Sequence, residues 1–316
     1  MALVTLASVL PFCALPFAQH GMEDPDLGLR LVGAITFIGA NFHVAASAWF
    51  YTDGSLYSHF RAHKARYLIV PAMLIAGGAA AFQFAPPQLR GWLLAGFFSW
   101  QLWHYQKQNI GLLSFVAAGT DSVRVSAWER RTLMVAAVAG IAGYFSLNAI
   151  GLQQYDALFK LLHRAGGVVY LAVPIVAGVA LATTPALRRN PLRLLCLGFG
   201  AIFFLPTFLF SDWISATLSY ALAHGLQYLV FMGFVASGRP NPIPSLVLMF
   251  GMATLGAMVL NAAILAPGQL GYGYALYGAF VGVTMSHFVL DAGLWRLSEP
   301  FQRRYMREKF YFVFDR

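Results

Sequence analysis

The feature that most constrains this chain is a series of apolar runs, each about 20 residues long, separated by short breaks. A helix rises 1.5 Å per residue, so such a run crosses a hydrocarbon core about 30 Å thick. Lipid offers the backbone no hydrogen-bond partner, and the runs must therefore be helices. The chain is 59% hydrophobic and 10% charged, against roughly 25% charged in soluble domains. We predict an all-α, polytopic integral membrane bundle that forms one domain over residues 1–316.

Breaks in the apolar pattern divide the chain into about ten candidate spans. Prolines stand between several of the runs, at Pro86-Pro87, Pro185, Pro191 and Pro267-Gly268, where residues that interrupt helices are expected. Spans seven and eight meet at Ser211-Asp212 with almost no residues between them, which predicts a tight hairpin. The predicted spans cover residues 2–19, 29–51, 67–85, 90–117, 132–151, 166–184, 193–211, 213–236, 244–265 and 272–296.

The basic residues predict how these spans are oriented. One set of alternate loops holds only Arg30, Arg90, Lys160 and Arg164, whereas the other set and the tail hold the remaining 17 of the 21 Lys and Arg residues. The excess marks the cytoplasmic side, so both termini are expected there. The net charge of +9 is then explained by topology and by contact with anionic lipid headgroups, without nucleic acid. The basic and aromatic tail, residues 298–316, is expected to lie along the cytoplasmic membrane surface.

Four of the eight histidines fall well inside predicted spans: His43, His104, His224 and His287. Ionisable groups inside a membrane are costly and indicate function by default. The four histidines lie on spans two, four, eight and ten, which all run in the same direction. Each is about 11 to 15 residues from the outer edge of its span, a spread in depth of roughly 6 Å. The sequence therefore predicts a metal site made by four imidazoles in the cytoplasmic half of the bundle.

Polar residues at helical spacing accompany these histidines. Asp291 is four residues after His287, so the two side chains share a helix face. We interpret Asp291 as the catalytic carboxylate, either a direct metal ligand or a hydrogen-bond acceptor for His287. His59 and His63 form a His-x-x-x-His pair just after span two. They are candidate ligands of a second metal, with a solvated loop as the alternative.

The ligand types limit the metal and the chemistry. Imidazoles with one carboxylate suit iron, copper or zinc, whereas calcium and magnesium prefer oxygen ligands. Non-haem iron is the first choice, since neutral histidines hold Fe(II) and leave a position for dioxygen. We predict an oxidoreductase or oxygenase that uses O2 on a hydrophobic lipid or isoprenoid substrate. The alternatives are a haem-binding or electron-transfer protein, and a transporter or assembly factor without catalysis.

Part of the chain resembles a known family. The segment Ser286-His-Phe-Val-Leu-Asp-Ala-Gly-Leu-Trp-Arg, followed by a basic tail, is similar to the closing helix of the Brp/Blh membrane dioxygenases. Asn41-Phe-His43 and Ala223-His224-Gly resemble other histidine helices of that family. Members of that family cleave β-carotene to retinal with iron held by transmembrane histidines, and the resemblance implies similar chemistry here. We expect the chain to lie in a bacterial inner membrane. It places His43, His224 and His287 at ligand positions and Asp291 in a supporting one; the family's early Pro-His-Gly-Ala motif is absent here.

Overall fold

A computed structural model describes residues 33–120, 124–147, 152–210, 213–267 and 271–311, and every regular element within these ranges is helical. The predicted all-α class is confirmed for this part of the chain. Two π-helical turns, Thr36–Phe42 and Ala65–Ile69, and three 3-10 turns, Ser47–Thr52, Phe145–Leu147 and Gln153–Tyr155, supplement the α-helices. The α-helices are α1 (His43–Ala46), α2 (Gly54–Ala62), α3 (Val70–Phe84), α4 (Pro87–Thr120), α5 (Ala127–Tyr144), α6 (Asp156–Tyr170), α7 (Ala172–Thr183), α8 (Pro185–Arg189), α9 (Pro191–Ile202), α10 (Pro206–Leu209), α11 (Trp213–Ser237), α12 (Pro242–Leu265), α13 (Gly273–Leu294) and α14 (Pro300–Lys309).

Five helical stretches among the described residues are long and apolar enough to cross a membrane. Three of them, Ala65–Phe84, Gln153–Thr183 and Pro242–Leu265, expose many leucine, isoleucine, valine and methionine side chains, which suits contact with lipid, whereas Ser215–Ser237 is mostly buried. The predicted span over 2–19 lies outside the described residues, and the total of about ten spans stays a prediction. The five stretches are Ala65–Phe84, Gln153–Thr183, Ser215–Ser237, Pro242–Leu265 and Gly273–Leu294.

The structure breaks the predicted span over 193–211 into two helices. Helix α9 ends at Ile202 and α10 begins at Pro206. Proline has no N–H to donate, and its ring clashes with the carbonyl four residues earlier, which here belongs to Ile202. The 12 residues of α9 rise about 18 Å, less than the hydrocarbon thickness. By length alone, α9 is too short to cross a bilayer.

The chain divides into two compact units, which we describe separately: the first contains Leu94–His224, and the second contains Gly33–Leu93 and Gly225–Phe310. The first unit contains a buried ion pair that sequence analysis missed. Nε of Arg193 lies 2.7 Å from Oε1 of Glu129, and both side chains are fully buried. Glu129 also closes a capping box with Ser126 at the start of α5. Arg193 is one of the 17 basic residues that the sequence assigns to the cytoplasmic loops and tail, but its guanidinium joins the start of α9 to the start of α5.

In the second unit, α3 packs closely along α13 through glycines. A Cβ placed on Gly78 would lie 2.5 Å from the carbonyl oxygen of Gly278. A Cβ on Gly282 would meet the backbone of Leu74 in the same way. Small residues let helix backbones approach in membranes, where no hydrophobic effect drives the helices together. This contact fixes α13, the helix that carries His287 and Asp291.

Candidate metal centre

The second unit brings His43 and His287 into contact. His43 is the first residue of α1, directly after the π-helical turn Thr36–Phe42, and His287 lies within α13. Their ring centroids are 5.1 Å apart in an edge-to-face arrangement, and a nitrogen of one ring lies within 4.8 Å of a nitrogen of the other. Each residue is only 2% exposed. Two residues 244 positions apart in the sequence thus form one buried imidazole pair.

Asp291 adds a carboxylate to this pair, one helical turn after His287. Its Oδ2 lies 3.6 Å from Nε2 of His287, which is longer than a hydrogen bond. Its other oxygen, Oδ1, accepts hydrogen bonds from the hydroxyl of Tyr228 at 3.0 Å and from the indole nitrogen of Trp295 at 3.2 Å. The two carboxylate oxygens therefore face different groups: Oδ1 is held by two donors and Oδ2 faces the imidazole.

A local hydrogen bond orients the ring of His43. Nδ1 of His43 lies 2.7 Å from the carbonyl oxygen of Gly39, so Nδ1 carries the hydrogen and Nε2 carries the lone pair. Helix α11 passes close to the same carbonyl, because a Cβ on Gly225 would collide with it. A backbone acceptor on one ring nitrogen is the usual arrangement for an imidazole whose other nitrogen binds a metal.

The donor set of this pair fits a transition metal. Ligand atoms that lie about 2.1 Å from an ion are about 3 to 3.5 Å from each other. The 3.6 Å between Nε2 of His287 and Oδ2 of Asp291 is close to that spacing. Two imidazoles and one carboxylate form the ligand set of non-haem Fe(II) sites with open positions. We name His43, His287 and Asp291 the 43–287–291 cluster: His287 lies near both of the other two residues, and together the three supply the donor types of such a site.

The other two predicted ligands pair with each other in the first unit. The ring centroids of His104 and His224 are 5.0 Å apart and edge-to-face, and both residues are buried. Tyr105 packs beside His224 at 4.2 Å between centroids and receives a hydrogen bond from Gln101 at 2.6 Å. Gln108 donates to the backbone carbonyl of His224 at 3.3 Å. Gln101 and Gln108, which lie three residues before and four after His104, thus order Tyr105 and the backbone at His224.

His59 and His63 lie elsewhere in the second unit, near the end of α2. Their ring centroids are 4.4 Å apart, and Nδ1 of His63 lies 3.0 Å from the carbonyl oxygen of His59. Burial lowers the pKa of His59, and the nearby positive charges of His63 and Arg66 lower it further. The sequence allows two interpretations of this pair, ligands of a second metal or residues of a solvated loop. In the structure both side chains line a pocket.

Tyr228 is the site residue that sequence analysis did not assign a role. It is 2% exposed and its ring centroid lies 4.9 Å from that of His287 and 5.7 Å from that of His43. From the sequence alone, an aromatic residue in a span is expected to pack against other helices or to lie at the membrane interface. A tyrosine hydroxyl inside a span needs a hydrogen-bond partner, and this requirement is the signal in the sequence that Tyr228 has a polar neighbour.

Comparison of the chain with family models, with curated proteins and with solved structures gave no match. The resemblance to the Brp/Blh dioxygenases stays a prediction.

Proposed function

We propose that this chain is a membrane-embedded oxidoreductase whose 43–287–291 cluster holds a non-haem iron ion. The observation that carries the proposal is the burial of His287 beside a second imidazole and a carboxylate, within one unit of a chain whose described helices include five that are long and apolar enough to cross a membrane. Ionisable groups at such positions are rare in membrane proteins and are retained for function. Iron is favoured over copper and zinc because its usual ligand set matches this one.

When bound, iron would supply the activation of dioxygen towards a hydrophobic substrate. The protein's own residues would fix the geometry. Gly39 holds the ring of His43, while Tyr228 and Trp295 hold Oδ1 of Asp291 and leave Oδ2 directed to the centre. Buried aromatic side chains such as Phe288 and Tyr228 would exclude water. A lipid or isoprenoid molecule could reach the site laterally from the bilayer, which is the substrate class that an enclosed apolar setting favours.

Haem is less suited to these histidines. A haem iron held from both faces needs its flat macrocycle between the two imidazoles. The rings of His43 and His287 pack edge to face at 5.1 Å, and those of His104 and His224 do so at 5.0 Å. Neither pair leaves a flat gap for the macrocycle. The geometry therefore favours a single ion over haem and electron transfer.

The number of spans and the side of the membrane on which the termini lie are also part of the proposal. We infer about ten spans with both termini on the cytoplasmic side, supported by the distribution of basic residues between alternate loops. Helices α11, α12 and α13 begin and end within a few residues of the spans predicted over 213–236, 244–265 and 272–296. This orientation would place the centre in the cytoplasmic half of the membrane.

Metal analysis of the full chain tests the proposal. The protein would be purified in detergent without oxygen, incubated with Fe(II), and its iron measured by mass spectrometry. We expect His43→Ala and His287→Ala to lose most of the iron, whereas His163→Ala, a half-buried histidine on α6, should keep it. Wild-type iron content in both cluster variants, or a protein that binds no metal, would overturn the proposal. A Soret band in the purified protein would favour haem instead.

Iron content measured in His104→Ala and His224→Ala tests the prediction that all four histidines are metal ligands. Loss of iron in these variants is expected if they contribute ligands. Oxygen consumption that depends on added apolar substrates would then separate an oxygenase from a transporter, which should consume none.

A further inference from the structure

A pocket of about 330 Å³ lies in the second unit and shares no lining residue with the 43–287–291 cluster. Its volume is at the lower end of the roughly 300 to 1,000 Å³ typical of small-ligand sites. The pocket lies where one candidate span begins and another ends. Arg66 and Tyr67 belong to the first turn of the span Ala65–Phe84, and Arg296 follows the last residue of the span Gly273–Leu294 by two positions. This position is the depth at which lipid headgroups meet a membrane protein.

The charged groups in the lining of the pocket are mostly basic. Arg66 and Arg296 supply two guanidinium groups, and the lining also includes one carboxylate, that of the exposed residue Glu299. Guanidinium groups present several N–H donors in a planar fork that matches the oxygens of a phosphate. Two of them would repel a metal ion. The charge of the lining therefore favours an anion over a second metal at His59 and His63.

The wall of the pocket is ordered by contacts among its own side chains. The ring of His59 stacks on Phe301 with centroids 4.2 Å apart and planes only 5° from parallel. Nε2 of His59 lies 3.2 Å from the hydroxyl of Tyr67, and Gln302 is anchored by a 3.1 Å hydrogen bond to the carbonyl of Gly293. These contacts join α2 and α14 to Tyr67, at the start of the span Ala65–Phe84. The histidine pair thus shapes a wall beside the two arginines.

We infer that this pocket binds a phosphate group through Arg66 and Arg296. The phosphate can belong to the headgroup of an anionic phospholipid or to a free phosphate compound, and both share the oxygens that the guanidinium groups recognise. Its location at a span end favours the lipid. In this assignment His59 and His63 position the site and are not ligands of a second metal.

Binding assays on the full chain in detergent test the assignment. Native mass spectrometry would count bound phosphatidylglycerol and phosphatidylcholine, and calorimetry would measure binding of inorganic pyrophosphate. We expect the double variant Arg66→Gln with Arg296→Gln to weaken phosphatidylglycerol binding by about tenfold or more, because charge-assisted hydrogen bonds are the strong ones. A matched control, Arg304→Gln with Arg307→Gln, removes the same charge from exposed positions of α14 outside the pocket and should bind as the wild type.

The outcomes are distinct. Preferential binding of phosphatidylglycerol that the double variant loses supports a lipid headgroup, and a corresponding loss of pyrophosphate binding alone supports a soluble phosphate compound. No phosphate binding, or equal losses in the double variant and its control, would overturn the assignment. Circular dichroism and gel filtration would establish that the double variant folds. If it does not, Arg296→Glu alone, at an exposed position, serves in its place. Iron content should not change in any of these variants.

Discussion

The hydroxyl of Tyr228 donates a hydrogen bond to Oδ1 of Asp291 at 3.0 Å, and both residues are buried. If Oδ2 binds the metal, this bond orients a ligand without touching the ion. Outer partners of this kind typically change metal affinity by about 10- to 100-fold when they are removed. We expect Tyr228→Phe to weaken iron binding by that order, measured by competition with a chelator. Tyr277→Phe, which removes a hydroxyl from a half-buried position of α13, should leave the affinity unchanged.

Asp291 itself can be tested as a ligand. An asparagine keeps the size of the side chain and can still accept a hydrogen bond, but its amide oxygen is a poor metal ligand. We expect Asp291→Asn to lower iron affinity by about tenfold or more. Asp156→Asn, which removes an exposed carboxylate, is the control. If Asp291→Asn binds iron as the wild type does, Asp291 acts as a hydrogen-bond acceptor and is not a ligand.

The buried pair of Glu129 and Arg193 should dominate the stability of the first unit. Removing one partner leaves an uncompensated charge among apolar side chains, at a cost of about 3 to 5 kcal/mol. We expect Arg193→Met to lower the thermal unfolding temperature in detergent strongly, and Glu129→Gln in the same chain to restore much of it. Lys160→Met, which breaks an exposed pair with Asp156, should change stability by less than about 1 kcal/mol. Similar effects of Arg193→Met and Lys160→Met would contradict the assigned importance of the buried pair.

Two adjacent glycines of α3 provide a matched test of helix packing. A Cβ on Gly78 would press on the backbone of Gly278, whereas a Cβ on Gly77 would meet nothing within 4 Å. We expect Gly78→Ala to destabilise the protein by about 1 to 3 kcal/mol through overpacking. Gly77→Ala should be neutral or stabilising by up to about 1 kcal/mol, since alanine favours the helix. Thermal unfolding of both variants measures the difference, and equal effects would count against close packing of α3 on α13.

Asp53 gives a prediction about pH. Burial raises its pKa, but hydrogen bonds from Ser55, the charge of Lys309 and the hydroxyl of Tyr305 outweigh burial, and the pKa lies below its ordinary value of 3.8. A lowered pKa means that the contribution to stability is fully present above the ordinary value. It is lost as the pH falls from there through the folded-state pKa. We expect thermal stability of the wild type to fall over that acid range, and the fall to be smaller in Asp53→Asn. An identical acid profile in the variant would show that Asp53 does not contribute.

Some of the site followed from local rules. The pairing of His287 with Asp291 was predicted because residues four apart share a helix face, and in the structure Oδ2 of Asp291 lies 3.6 Å from Nε2 of His287. The break between α9 and α10, inside the span predicted over 193–211, was also predictable from Pro206, because proline interrupts a helix locally. The need of the Tyr228 hydroxyl for a partner was also predictable, but the identity of that partner was not, because Asp291 is 63 residues away in the sequence.

The sequence by itself determined that the described chain is helical and that several of its helices suit a membrane. The physical reason is that apolar runs about 20 residues long can satisfy their backbone in lipid only as helices. Which histidines contact each other was decided only by the tertiary structure. His43 pairs with His287, and His104 pairs with His224, because the rotation and spacing of helices depend on side-chain packing between distant segments. The close approach of Gly78 to Gly278 is one such contact, and no periodicity along the chain specifies its partner.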